Sequence, residues 1–396
     1  LTYILEPPAL GEQKSKAAQL GIKRLMETGI QPDLIACRAE NKVTHTVLEK
    51  VSMFSNVPMA RVFSMHDRDS IYTIPEAMRA QGLDREVLTI LSRHQKVDPV
   101  HEDAARARWK SYATAITSPR RHPLNIGILG KYTALRDAYA SIDKAIEHAA
   151  THLSAQPTIQ WIDVSDFNND NVAARLDALD LHAVIVPGGF GERGVEGKIA
   201  AVRYVRERGI PFLGICLGFQ VAVIEFARHV AGIDGAHSTE FDTAALDAVI
   251  AELPEQKAIE GLGGTMRLGG QDVQLTQGSL LSALFDGATL IRERFRHRYE
   301  VEPTVVQQLE SAGLRFTGRH PSQPIMQGLE LPVDVHPYFV GGQFHPELTS
   351  RPLHPQPMFM GLVAAAIKCA HPKLDREAIS ARWLPEFQTA KVVQQG

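Results

Sequence analysis

Apolar residues in this chain recur in two registers. Short unbroken runs predict buried strands at Leu1–Leu5, Asp33–Cys37, Val62–Ser64, Leu124–Gly130, Ile159–Ile162, Ala183–Pro187 and Pro211–Ile215. Between them lie stretches with helical spacing. Gln13–Thr28 places Ala17, Leu20, Leu25 and Met26 as its apolar positions. Pro75–Gln81, Arg85–Ser92, Asp103–Ala115, Ala138–His152 and Ile199–Arg208 follow. Apolar strands alternating with helices predict an α/β fold whose sheet is parallel and covered on both faces. Ser118-Pro119-Arg120-Arg121-His122-Pro123 interrupts both periodicities and divides the chain. We expect one domain over 1–118, a linker at 119–123, a second domain over 124–370 and a tail at 371–396. Beyond Phe241 the pattern dissolves into shorter strands and turns, with no internal repeat.

Composition narrows the class. The chain has 396 residues, 44% of them hydrophobic, and a net charge of -3, which suits a globular protein with two sizeable cores. So balanced a charge gives no field for gripping nucleic acid. No apolar run reaches the roughly 18 residues of a membrane span, and no signal-like leader is present. Cys37, Cys216 and Cys369 are too few and odd in number for a disulfide framework. The expectation is a cytoplasmic protein without nucleic-acid or membrane partners.

The chemistry concentrates at Gly214-Ile215-Cys216-Leu217-Gly218-Phe219-Gln220. A buried strand leads into it and an apolar helix leaves it. The flanking glycines permit a sharp, strained turn that lifts the thiol clear of the sheet beside a helix N-terminus, where thiolate is favoured. Far downstream, His345 and Glu347 stand two apart in Gln343-Phe344-His345-Pro346-Glu347. In extended chain, residues so spaced point the same way. Cys216, His345 and Glu347 are therefore the candidate nucleophile, base and orienter of an acyl-transfer site.

These two segments, with Val186-Pro187-Gly188-Gly189-Phe190-Gly191, resemble the class I glutamine amidotransferases, whose Cys-His-Glu triad releases ammonia from glutamine. Further segments resemble the CTP synthase family: Gly191–Lys198, Ile224–Val230, Ser238-Thr239-Glu240-Phe241, Gly263–Gly269, Arg296–Val301, and Gly11–Lys16 followed by Gly29–Asp33. The resemblance implies an incomplete Rossmann-like synthetase (amidoligase) domain, then a class I glutamine amidotransferase domain with a mostly parallel central sheet. It implies ATP-dependent amination of UTP to CTP, in pyrimidine nucleotide biosynthesis.

Residue roles follow from the resemblance. The backbone at Gly189 and Leu217 would hold the oxyanion. Gln220, Glu240 and Arg298 would bind glutamine, the carboxylate taking its ammonium and the guanidinium its carboxylate. Lys14, Ser15, Lys16, Gln19 and Lys50 would contact UTP or feedback-inhibitory CTP, and Arg38 and Asp67 would contact ATP. Here the chain departs from the family's Lys-Thr-Lys-Pro-Thr-Gln-His: Ala17, Ala18 and Leu20 remove rigidity and hydrogen bonds. Thr265–Gly269 would belong to a glycine-rich lid involved in allosteric activation by GTP. No prosthetic group is expected, and the intact enzyme would be a homotetramer.

The chain reads as a fragment. It begins inside an apolar run without methionine and has no Gly-x-x-x-x-Gly-Lys-[Ser/Thr] loop. ATP and Mg2+ would therefore be held largely through a missing N-terminal part, with no metal ligands expected in this chain and the glutaminase half competent alone. The alternatives are a stand-alone glutaminase and a non-catalytic nucleotide-binding or filament-forming protein.

Overall fold

The computed structural model describes residues 1–8, 11–130, 139–253 and 266–384. They form two compact units, Leu1–Pro119 and Arg120–Gly396. The first unit holds a parallel sheet in the order β1 (Thr2–Tyr3), β2 (Ile35–Ala39), β3 (Val62–His66). Helices Lys16–Glu27 and His45–Ser55 join its core through Ala18, Ile22, Val47 and Val51. The first helix turns a different face inward from the one its pattern predicts. Ala17, Leu20 and Leu25 are exposed, whereas Ala18 and Ile22 are buried and Met26 is partly so. That stripe has i, i+4 spacing, which keeps it on one face. Gln19 is buried beside it because its amide donates to Ser15 Oγ at 3.0 Å.

The second unit is built on β4 (His122–Gly130), β5 (Ala155–Asp163), β6 (Ala183–Val186), β7 (Phe212–Ile215), β8 (Ala236–Ser238), β9 (Asp247–Ala251), β10 (Arg267–Leu275), β11 (Leu290–His297), β12 (Glu300–Val301), β13 (Arg315–Arg319), β14 (Met326–Glu330) and β15 (Phe339–Gly342). Nine of these make one sheet, in the order β11-β10-β13-β14-β15-β7-β6-β4-β5; β12, β9 and β8 make a small second one. From β15 to β5 all neighbours are parallel, and β14, β13, β10 and β11 extend the sheet antiparallel. Helices Val195–Arg208 and Leu217–His229 cover one face, Ala140–His152 and Pro357–Ala370 the other, and each face has its own apolar core. The carboxyl ends of β6 and β7 lie side by side, which is where an open α/β sheet places its site.

Three expectations are corrected. His122 and Pro123, expected in the linker, are the first residues of β4. The His122 amide donates to Ser154 O, so the next residue's nitrogen faces the side where β4 pairs with β6 only from Ile126 onward. Proline's missing N–H therefore costs no ladder bond there. Arg267–Gly269, expected in a lid loop, begin β10 and pair with Phe295–His297; Gly263–Thr265 lie outside the described residues. The tail expected from residue 371 joins the second unit's core as far as 384: Ile379 is buried and Leu374, Trp383 and Leu384 pack on it.

Pro352–Pro357, proline-dense and without an evident purpose in sequence, ends in a helix start. Pro357 occupies the first turn of Pro357–Ala370, and the Gln356 side chain caps it by accepting from the Met358 amide at 2.7 Å.

Candidate active site

Cys216 joins β7 to the helix Leu217–His229. It is held at φ 52 and ψ -100, outside the region comfortable for a residue with a side chain. Such strain persists only where the surroundings fix it. The Cys216 amide donates to Gly342 O at 2.8 Å, and every residue of the helix from Leu217 to Ala227 is buried. Gly218 brings that helix close to the end of β6: a Cβ there would stand 2.0 Å from Val186 O. The glycine thus permits the elbow by close approach rather than by its dihedral.

His345 and Glu347 follow β15, parallel to β7. His345 Nδ1 lies 2.7 Å from Glu347 Oε1. Its Nε2 is buried without a hydrogen-bond partner. The Cys216 sulfur is near enough to act on the imidazole's titration yet outside hydrogen-bond geometry in this resting arrangement. Burial pushes the imidazole pKa down, but Cys216 and Glu347 outweigh it and raise it to about 10. The ring is thus held as imidazolium beside the sulfur. A Cβ on Gly188 would meet both partners, 2.8 Å from His345 Cε1 and 3.5 Å from Cys216 Cβ. Gly189 adjoins Leu217 in the same way, at 3.3 Å from a Leu217 methyl. Leu217 opens its helix, where backbone amides have no partner within the helix.

The remaining glutamine-pocket candidates gather around Tyr299. Its phenol pKa is raised by burial and then by Glu240 and Glu252, against Arg298. Glu240 is braced by the Gly191 amide at 2.9 Å, and Arg298 is exposed. Gln220 is a buried strut: its amide protons go to Tyr299 O at 2.9 Å and Gln343 Oε1 at 3.1 Å. The turn bearing Arg298 and Tyr299 is pinned by buried Glu300, which pairs with Arg267 Nε at 2.9 Å and His297 Nε2 at 2.8 Å.

In the sequence Gln343 is one letter of a motif with no role of its own. Its Nε2 reaches the Cys216 sulfur at 3.7 Å, so an amide N–H points at the nucleophile. Gln343→Leu should lower glutamine turnover about tenfold to a hundredfold, because a donor to the nucleophilic sulfur is lost and Gln220 loses a partner. The slowing of Cys216 alkylation by iodoacetamide at pH 7, followed by peptide mass mapping, checks it.

In the first unit, Lys14 pairs with Glu12 at 2.6 Å. Lys14 first, and Lys50 more weakly, hold that carboxylate below the usual range. Ser15 and Gln19 are bonded to each other, and Lys16 and Lys50 are exposed. The Arg38 guanidinium is bonded to the Asp67 carboxylate. Among the described residues no three His, Cys, Asp or Glu side chains converge to hold a metal ion. No helix there is long and apolar enough to cross a membrane.

The parallel sheet, the cysteine elbow and the paired histidine and glutamate define a class I glutamine amidotransferase. The family model described as glutamine amidotransferase class-I matches residues 134–365, and that described as CTP synthase N-terminus matches residues 1–93. The chain belongs to the CTP synthase family. It is 44% identical over 366 residues to the CTP synthase of Methanopyrus kandleri, covering 92% of this chain and 66% of that protein. It is 43% identical over 357 residues to that of Haloarcula hispanica, covering 90% of this chain and 62% of that protein. The chain thus spans somewhat less than two thirds of the length of these relatives. The solved glutaminase domain of Trypanosoma brucei CTPS, with bound acivicin, is 33% identical, with a TM-score of 0.57 over 62% of this chain and 94% of its own.

Proposed function

We propose that this chain hydrolyses glutamine at Cys216 and that the ammonia serves the ATP-dependent amination of UTP to CTP. The observation that carries the reading is the strained Cys216 elbow facing an imidazole locked on Glu347. The Cys216 thiolate attacks the amide carbon of glutamine. The Gly189 and Leu217 amides take the negative charge that develops on oxygen, and His345 gives its proton to the departing ammonia. The imidazole, now neutral, draws a proton from water, which attacks the thioester and releases glutamate and the thiolate. Glu347 holds the ring in place throughout. Glu240 takes the substrate's ammonium and Arg298 its carboxylate, while Gln220 shapes the pocket floor.

In the first unit we assign Lys14, Ser15, Lys16, Gln19 and Lys50 to the nucleotide phosphates of UTP or CTP, and Arg38 with Asp67 to ATP. The half-exposed Lys14 ammonium, paired only with Glu12 among the described residues, supports an anion site, since a triphosphate would replace that carboxylate as its partner. GTP is the proposed activator and Mg2+ the companion of ATP.

A narrower reading, glutaminase activity alone, is supported by the second unit's carrying Cys216, His345 and Glu347 by itself. The two are separated by measuring glutamate release from glutamine with and without GTP, UTP and ATP, and CTP formation in the same mixtures. Glutamate with UTP-dependent CTP supports the full reaction; glutamate without CTP supports the narrower one. Neither product, from folded protein, would refute both.

A further inference from the structure

Strand β11 carries a carboxyl that the chemistry above does not use. Along Arg292-Glu293-Arg294-Phe295-Arg296-His297 the arginines face outward and the alternate positions inward. Glu293 is therefore buried, 3% exposed, on the same face as Phe295 and His297. Thr349 Oγ1 lies 3.0 Å from its Oε2, and Gln356 Nε2 donates to its Oε1 at 3.2 Å. The same Thr349 hydroxyl stands 3.0 Å from Pro346 O, the carbonyl between His345 and Glu347. The next residue of the strand anchors the triad directly: the His345 amide donates to Arg294 O at 2.8 Å.

We propose that Glu293 is a positioning residue of the glutaminase site, a proton-dependent brace that acts on the His345–Glu347 pair through Thr349 and through its charge. This rests on the glutaminase reading. With Glu293 protonated, its O–H donates to Thr349, whose hydroxyl donates to Pro346 O; the turn that carries the triad is tied to β11. With Glu293 ionised, the Thr349 proton turns to the carboxylate. Pro346 O then keeps only the Thr349 amide, and a second negative charge stands behind Glu347. Two carboxylates hold the imidazolium more firmly than one. His345 is then a weaker acid toward the leaving ammonia and a scarcer base toward water.

Burial raises the Glu293 pKa first, its two hydrogen bonds oppose, and Glu347 raises it further, to about 7. The switch therefore lies within the working range: neutral at pH 6, ionised at pH 8.5. The surrounding groups do not cancel that charge. The turn after β15 brings His345 and Glu347, the β7 elbow Cys216. From the helix Ala140–His152 comes His148, linked through Ser350 Oγ at 2.9 Å. Burial, with Lys144, His152 and Arg351 around it, lowers the His148 pKa to about 4, so it stays neutral. Gln356, the cap of the helix Pro357–Ala370, presents its amide, and β10 sets Gln271 opposite Glu293.

Glu293→Gln fixes the neutral form, since its amide can donate to Thr349 and accept from Gln356. The kcat for glutamate release by this variant relative to wild type should rise from near one at pH 6 to about fivefold at pH 8.5, with KM for glutamine unchanged. Glu293→Ala, which takes the donor from Thr349 and the acceptor from Gln356, should lose about tenfold in kcat at pH 6, and Gln should restore it. Iodoacetamide alkylation of Cys216, mapped by mass spectrometry, gives a readout free of turnover: the wild-type to Gln ratio should change over the same pH window. A ratio constant from pH 6 to 8.5 in both assays overturns the proposal. If Glu293→Ala does not fold, the Gln variant decides alone. Alkylation whose ratio changes without glutamate release would support the brace and tell against the glutaminase reading.

Discussion

Replacing Cys216 by alanine should reduce glutamate release from glutamine by at least about 10³-fold, because no other group can form the thioester. Cys37 is buried in the other unit, and Cys369 lies at the end of the helix Pro357–Ala370. Neither belongs to the set of residues around His345. The variant keeps the oxyanion amides and the His345–Glu347 bond, so it also tests whether those groups alone turn over substrate. Alanine inherits the strained dihedrals of the elbow, whereas glycine does not. Cys216→Gly should therefore be equally inactive yet more stable than Cys216→Ala by about 1 kcal/mol or more, read as a higher Tm. Glutamate release above about a tenth of the wild-type rate by either variant would remove Cys216 from the reaction.

The elbow and the His345–Glu347 pair were legible because each is local in sequence. Strand, glycine, cysteine, glycine and helix follow one another, and His345 and Glu347 are two residues apart. What sequence concealed was set by distant partners. The inward face of the helix Lys16–Glu27 depends on where β1 and β2 lie, and only a buried Ser15–Gln19 bond explains a glutamine among its core residues. Pro123 looks like a breaker until the pairing of β4 shows its nitrogen facing an unpaired side. Gln343 gains a role only once β15 is laid beside β7, which brings its amide to Cys216. Glu293 did leave a trace. It is an acid on the apolar side of an alternating strand, and a buried acid needs partners. The sequence could not name Thr349 and Gln356 as those partners, or Glu347 as its neighbour.

Two glycines at this site should fail in opposite ways when each receives a single methyl group. At Gly218 the new Cβ would lie 2.0 Å from Val186 O and 2.9 Å from Val186 C. Both are backbone atoms of β6, a central strand paired with β4 and β7. No rotamer relieves that clash. The helix Leu217–His229 must move off the sheet by about an ångström, which separates core side chains that are almost wholly buried and forfeits their packing. Gly218→Ala should cost about 4 kcal/mol or more, read as a large fall in Tm or loss of the folded unit. At Gly188 the new Cβ would meet His345 Cε1 at 2.8 Å, the edge of a ring that can tilt. Tilting spares the fold but turns Nε2 further from the sulfur and strains the bond to Glu347. Gly188→Ala should therefore keep Tm within a few degrees of wild type while kcat falls about 10²-fold, the usual penalty for a base displaced by an ångström. Should Gly188→Ala retain full activity, the imidazole would not be working from the position it holds here. Should Gly218→Ala fold with wild-type stability, the close approach of helix to strand would not be what sets the elbow.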